Sequence, residues 1–82
     1  MGTVYELNRI RICLYTIEHN PPHVHALYSE YEALIEISSG EVIRGYLPKP
    51  QLKKVKEWIS DEQVKESLIE KFYYMNPTLR RG

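Results

Sequence analysis

Residues 21–37 read Pro21-Pro22-His23-Val24-His25-Ala26-Leu27-Tyr28-Ser29-Glu30-Tyr31-Glu32-Ala33-Leu34-Ile35-Glu36-Ile37. Each proline fixes its own φ and pushes the residue before it toward extended geometry, so the chain beyond Pro22 is set to run as a strand. Side chains alternate along a strand, which puts His23 and His25 on one face and Val24 and Ala26 on the other. A two-residue turn at Ser29-Glu30 then pairs Tyr28 with Tyr31, Ala26 with Ala33 and Val24 with Ile35. Every one of these pairs is apolar or aromatic, so the register supports itself.

The flanking segments extend this hairpin in both directions. From Arg9 to Thr16 the chain alternates again, with Ile10, Ile12 and Leu14 on one side and Arg9, Arg11, Cys13 and Tyr15 on the other, the pattern of a half-buried strand. Ser38-Ser39-Gly40 suits a three-residue hairpin with glycine in the left-handed position, setting Ile35 opposite Ile43 and Ala33 opposite Gly45 in a strand from Glu41 to Leu47. Pro48 and Pro50 mark the entry of a helix in which Leu52, Val55 and Ile59 recur at helical spacing beside Trp58. Ser60-Asp61-Glu62-Gln63 reads as a capping box with Ser60 as N-cap. It opens a second helix whose stripe is Val64, Leu68, Ile69 and Phe72, and Asn76-Pro77 ends it. The expected fold is α+β: a four-stranded antiparallel meander with two C-terminal helices packed on one face, in the order ββββαα. The 82 residues make one domain, with an ordered core from Arg9 to Met75 and short tails at both ends.

Composition bounds the function classes. Hydrophobic residues at 43% and charged residues at 27% are globular values and argue against disorder. The single cysteine, Cys13, excludes an intramolecular disulfide and fits a reducing compartment. No run approaches the roughly 18 apolar residues of a membrane span, and the N-terminus lacks a signal-peptide pattern. A soluble, cytoplasmic protein is expected. Net charge is zero, yet residues 1–41 hold two arginines against six glutamates while residues 42–82 hold nine Lys/Arg against five acids. This asymmetry serves a partner interface, a nucleic-acid contact or neutralisation within the chain.

If the helices cover the apolar face, the registers give the composition of the open one. It carries His23, Glu36 and Val42 in one row, His25, Leu34 and Arg44 in the next, and Leu27, Glu32 and Tyr46 in a third. The first strand adds Arg11, Cys13 and Tyr15. Three readings of this surface stay open. As a metal-independent ribonuclease site it offers His23 or His25 and Glu36 for proton transfer, with Arg44, Arg11 and Tyr46 for the phosphate. As a metal site it offers His19, His23 and His25, with Glu32 or Glu36 across the strands, although no complete ligand set is evident and no cofactor is expected. Without chemistry, it is a binding module. Lys49, Lys53, Lys54 and Lys56 around the first helix, Arg11, the terminal Arg80-Arg81 pair and seven tyrosines would then meet nucleic acid or a protein partner. Pairing of an exposed sheet edge with a second copy also stays open.

The run Glu18-His19-Asn20-Pro21-Pro22-His23-Val24-His25-Ala26 is followed by Tyr28, Tyr31-Glu32-Ala33, Gly40-Glu41-Val42, Leu47-Pro48 and a Trp58-bearing helix. Together these segments resemble the small bacterial family catalogued as domain of unknown function 4160, from Arg9 to Phe72. Its members typically carry a glycine-rich turn before the Tyr-Glu-Ala triplet, where this chain has Ser29-Glu30. Some members are toxins of two-component toxin–antitoxin systems, encoded beside the family catalogued as domain of unknown function 2442. The resemblance therefore implies a growth-inhibiting toxin, acting on RNA or translation and neutralised by a small antitoxin of that second kind. His23, His25 and Glu32 match the family signature, which assigns them no chemical role.

Overall fold

The computed structural model describes residues 3–16 and 18–79. Its elements are β1 (Thr3–Leu7), β2 (Ile10–Leu14), β3 (His23–Tyr28), β4 (Tyr31–Glu36), β5 (Val42–Gly45), α1 (Lys49–Ser60), α2 (Glu62–Met75) and a terminal 3-10 turn at Pro77–Leu79. The strands form one sheet in sequence order, each antiparallel to its neighbours. The fold is α+β as expected, but the meander has five strands rather than four. The additional strand lies in what reads from the sequence as an N-terminal tail. It pairs Leu7 with Ile10 and Tyr5 with Ile12 across a tight turn at Asn8-Arg9. Both turn residues have positive φ, 49° and 69°. That geometry favours Asn-Gly, so an arginine in the second position hides the hairpin from sequence inspection.

The apolar stripe of every strand faces the helices. Ile10, Ile12 and Leu14 from β2, Val24 and Ala26 from β3, and Ala33 and Ile35 from β4 are buried against Val55 and Ile59 of α1 and Leu68 and Phe72 of α2. Burying a side chain of the Ile or Phe class contributes about 1.5–3 kcal/mol, so this layer is the main source of stability. On β1, Tyr5 joins it by packing its ring 5.5 Å from that of Trp58. The β3–β4 register is the one read from the sequence, Tyr28↔Tyr31 through His23↔Glu36. Among the described residues no helix is long and apolar enough to cross a membrane. Arg80 and Arg81 lie outside the described residues.

Three local expectations are corrected. First, the loop after β4 closes between Glu36 and Glu41, whose backbones bond at 2.8 Å, and so contains four residues instead of three. Ile37 is the added one: it is fully buried, and its N–H bonds Pro22 O rather than a partner in β5. The register near the loop shifts by one, putting Ile35 opposite Val42, and a bulge at Ile43 restores Leu34↔Arg44 and Ala33↔Gly45. Val42 consequently turns to the core and Ile43 to solvent, the reverse of the expected sides. Second, α2 is capped by Asp61, whose Oδ1 accepts from the N–H groups of Gln63 and Val64 at 2.9 and 3.2 Å. Ser60 stays in the last turn of α1 and donates its hydroxyl to Glu57 O. Third, Gly45 at φ 86° breaks the alternation of β5, and Tyr46, 60% exposed, sets its ring against Tyr31 with centroids 5.6 Å apart.

Gly45 is where the chain tolerates least change. A Cβ there would stand 2.2 Å from the carbonyl oxygen of Glu32, whereas a Cβ on Gly40 (φ 76°) would meet only Lys56 Cγ at 3.8 Å. Gly45→Ala is expected to cost about 2–3 kcal/mol, lowering Tm by roughly 10 °C or more, and Gly40→Ala about 1 kcal/mol. Urea and thermal unfolding of the two variants check this, and equal losses would contradict the close backbone approach at Gly45.

Candidate functional site

The open face gathers its chemistry around the start of β3. His23 and His25 alternate to this side, and their rings lie 5.4 Å apart. Between them stands a residue the strand registers alone do not bring in, Glu18 from the β2–β3 loop. Its Oε1 is 3.1 Å from His23 Nε2 and its Oε2 is 2.7 Å from His25 Nε2. The opposite ring nitrogens are also held. His23 Nδ1 lies 2.9 Å from Pro21 O, and His25 Nδ1 lies 3.2 Å from Glu32 Oε2 across the strands. A carbonyl can only accept, so His23 Nδ1 carries a hydrogen. Exposure of the three central side chains is 6% for His23, 14% for His25 and 15% for Glu18. The cluster is therefore largely shielded from water.

Asn76, at the end of α2 and buried, holds the loop that delivers Glu18. Its Oδ1 accepts from Glu18 N–H at 2.8 Å, and its Nδ2 donates to Tyr15 O and Phe72 O, each at 3.0 Å. One side chain thus ties the loop to the helix C-terminus. Tyr73 hydroxyl and Asn20 Oδ1 make a second tie at 3.1 Å. His23 is further packed against Phe72, and Tyr15 sets its ring edge on His25 with centroids 4.7 Å apart. The Tyr15 phenol is pushed above its ordinary value, first by its hydrogen bond with Cys13 and then by burial and nearby negative charge. It stays a neutral O–H.

Beside the cluster a cavity of about 410 Å³ is lined by His25, Glu32, Leu34, Arg44 and Gly45. Among the described residues Arg44 forms no ion pair, leaving its guanidinium for an anionic group. This confirms the expected row of His25, Leu34 and Arg44. Other expected members fall elsewhere. Glu36 lies opposite His23 in register, but its carboxylate turns away to accept from Ser38 and Ser39 hydroxyls at 3.1 and 2.8 Å, bracing the β4–β5 loop. Tyr46 is exposed with its ring against Tyr31, and it does not line this cavity. His19 is exposed in the loop and is not in the group whose donor atoms converge, which is Glu18, His23 and His25. Arg11 stands on the same face, exposed, opposite Glu6 and Leu27. Lys49, Lys53, Lys54 and Lys56 are exposed on α1, three of them bordering a largely apolar cavity of about 350 Å³ with Leu52 and Glu57. They lie apart from the histidine cluster.

Glu18 is visible in the sequence as the residue opening the Glu-His-Asn-Pro-Pro run. Its role is not, because its place between two imidazoles depends on a loop path fixed by a residue 58 positions away. Compared with known families, residues 10–72 match the model of one described as Domain of unknown function (DUF4160). Among curated proteins and among solved structures the chain has no match.

Removing the Asn76 amide should expose how far the cluster depends on that tie. Asn76→Ala leaves Glu18 N–H and Tyr15 O without their partner, an expected loss of about 2–4 kcal/mol. In the same variant the imidazole NMR resonances of His25 should shift. A stable variant with unshifted imidazoles would show that the loop holds Glu18 without Asn76.

Proposed function

Since the chain belongs to the family described as Domain of unknown function (DUF4160), we propose that it is the growth-inhibiting toxin of a bacterial toxin–antitoxin pair. In this reading it acts on RNA in the cytoplasm, in the cavity formed by His25, Glu32 and Arg44. The observation that carries the assignment is the shared lining: a carboxylate held by an imidazole, and a guanidinium with no ion pair among the described residues, face the same 410 Å³ space.

Cleavage of RNA by its own 2′-hydroxyl forms a bond from that oxygen to phosphorus and breaks the bond from phosphorus to the 5′ oxygen. The 2′-hydroxyl proton must be accepted, the departing 5′ oxygen must gain a proton, and charge on the phosphate must be met. Arg44 suits the phosphate, its guanidinium being planar and permanently charged. Glu32 has one oxygen on His25 Nδ1 and the other left to accept the 2′-hydroxyl proton. The Glu18–His23–His25 cluster stands behind it, and solvent water protonates the departing oxygen.

The partner in this reading is a small antitoxin resembling the domain of unknown function 2442 family. The exposed Lys49, Lys53 and Lys56 around Leu52 support docking of an acidic, partly apolar segment there. A second reading, a binding module without catalysis, draws on the same lysines.

Both readings are separated by expression in a bacterial host and by assay on purified RNA. Arg44→Ala and Glu32→Gln alter accessible side chains, so folding should survive and be verifiable by circular dichroism. Each is expected to relieve growth arrest and lower the cleavage rate by about 10²–10⁴-fold. Arrest that persists in both variants, or RNA that is only bound at stoichiometric protein, would favour the module.

A further inference from the structure

We propose that Glu18, His23 and His25 form a binding site for a divalent transition-metal ion of the zinc type. Its three protein donors are His23 Nε2, His25 Nε2 and a carboxylate oxygen of Glu18. The inference deepens the reading above by naming the ion at the same centre. It rests on that placement of the centre and not on RNA as the target.

The donor set comes first. Two imidazole nitrogens and one carboxylate oxygen are a characteristic complement of open zinc sites and of other first-row divalent ions, and they leave coordination positions for water or substrate. The spacing fits. One donor atom from each residue lies within 4.8 Å of the other two. Bonds of about 2.1 Å at right or tetrahedral angles place neighbouring donors about 3.0–3.4 Å apart. Glu18 already stands 3.1 Å from His23 Nε2 and 2.7 Å from His25 Nε2, so small side-chain rotations of the imidazoles and the carboxylate complete the site.

The outer contacts are the stronger argument. Metal-ligating histidines give their other ring N–H to a backbone carbonyl or a carboxylate, which fixes the tautomer and aims the free lone pair. His23 shows the first arrangement, with Nδ1 on Pro21 O, and His25 the second, with Nδ1 on Glu32 Oε2. Both Nε2 atoms are therefore turned toward the Glu18 carboxylate, one to each of its oxygens. A single divalent ion is attracted by all three converging donors. Packing of His23 on Phe72 and of Tyr15 on His25 restricts the rings in advance, which lowers the entropy lost on binding.

The test uses full-length protein without a histidine tag, titrated with Zn2+ against a chromophoric chelator and, separately, with Co2+ by visible absorption. One Zn2+ per chain is expected, with Co2+ bands of a four- or five-coordinate site. Glu18→Gln and His25→Gln, each checked for folding by circular dichroism, should abolish tight binding and the Co2+ bands. Glu32→Gln should weaken binding by about 10–100-fold, as loss of an outer contact does. His19→Ala should leave it unchanged. Less than about a tenth of an equivalent bound at micromolar free Zn2+ would overturn the proposal, since folded sites of this kind fill far below that. Binding that survives both Glu18→Gln and His25→Gln would overturn it equally. Stoichiometric Zn2+ with no growth arrest keeps the metal site and removes the toxin reading. Growth arrest with no metal bound does the reverse.

Discussion

Everything on the open face depends on the register of β3 against β4. Six consecutive residues pair, from His23↔Glu36 to Tyr28↔Tyr31, and the alternating side-chain directions leave no neutral way to slip. Moving one strand by a single position would send Val24 and Ala26 to solvent and press His23 and His25 into the layer occupied by Val55, Ile59, Leu68 and Phe72. Burial of that layer therefore holds the histidines in place, although they lie outside it. The same register sets His25 beside Leu34 and diagonal to Glu32, from which the Nδ1 contact follows.

The register does not complete the cluster. Glu18 arrives through a loop that belongs to no strand, and the loop is held by a polar residue at the far end of α2. Asn76 has the valences for this: an acceptor for Glu18 N–H and a donor for Tyr15 O and Phe72 O, all satisfied within a buried setting. A buried amide left half-paired would cost more than it gains, so the loop path and the helix end are fixed together. The sheet positions two imidazoles, and the helix terminus positions the carboxylate between them.

The periodicity of apolar residues made four of the five strands, both helices and the whole β3–β4 pairing legible. It failed where a local conformation overrode it. Asn8-Arg9 closes a hairpin without the glycine that would have announced it. Ile37 leaves the β4–β5 ladder for the core, and a bulge at Ile43 absorbs the shift. Gly45, at positive φ against the Glu32 carbonyl, breaks the alternation and leaves the Tyr46 ring beside Tyr31. The last two exceptions moved side chains off their expected faces: Val42 to the core, Ile43 to solvent and the Tyr46 ring to Tyr31. Glu36 failed for another reason, because two serine hydroxyls nearer in the chain compete for its carboxylate.

The sequence by itself determined that two histidines two residues apart would share one solvent-side face of an antiparallel sheet, with Arg44 near them, because strand alternation is a local rule. It also carried the Glu-His-Asn-Pro-Pro-His-x-His signature by which the family is identified. Only the tertiary structure decided which acid those histidines meet. Glu18 replaces both Glu36 and His19 in the cluster because its loop is anchored to Asn76, and a contact across 58 residues has no periodicity from which to read it.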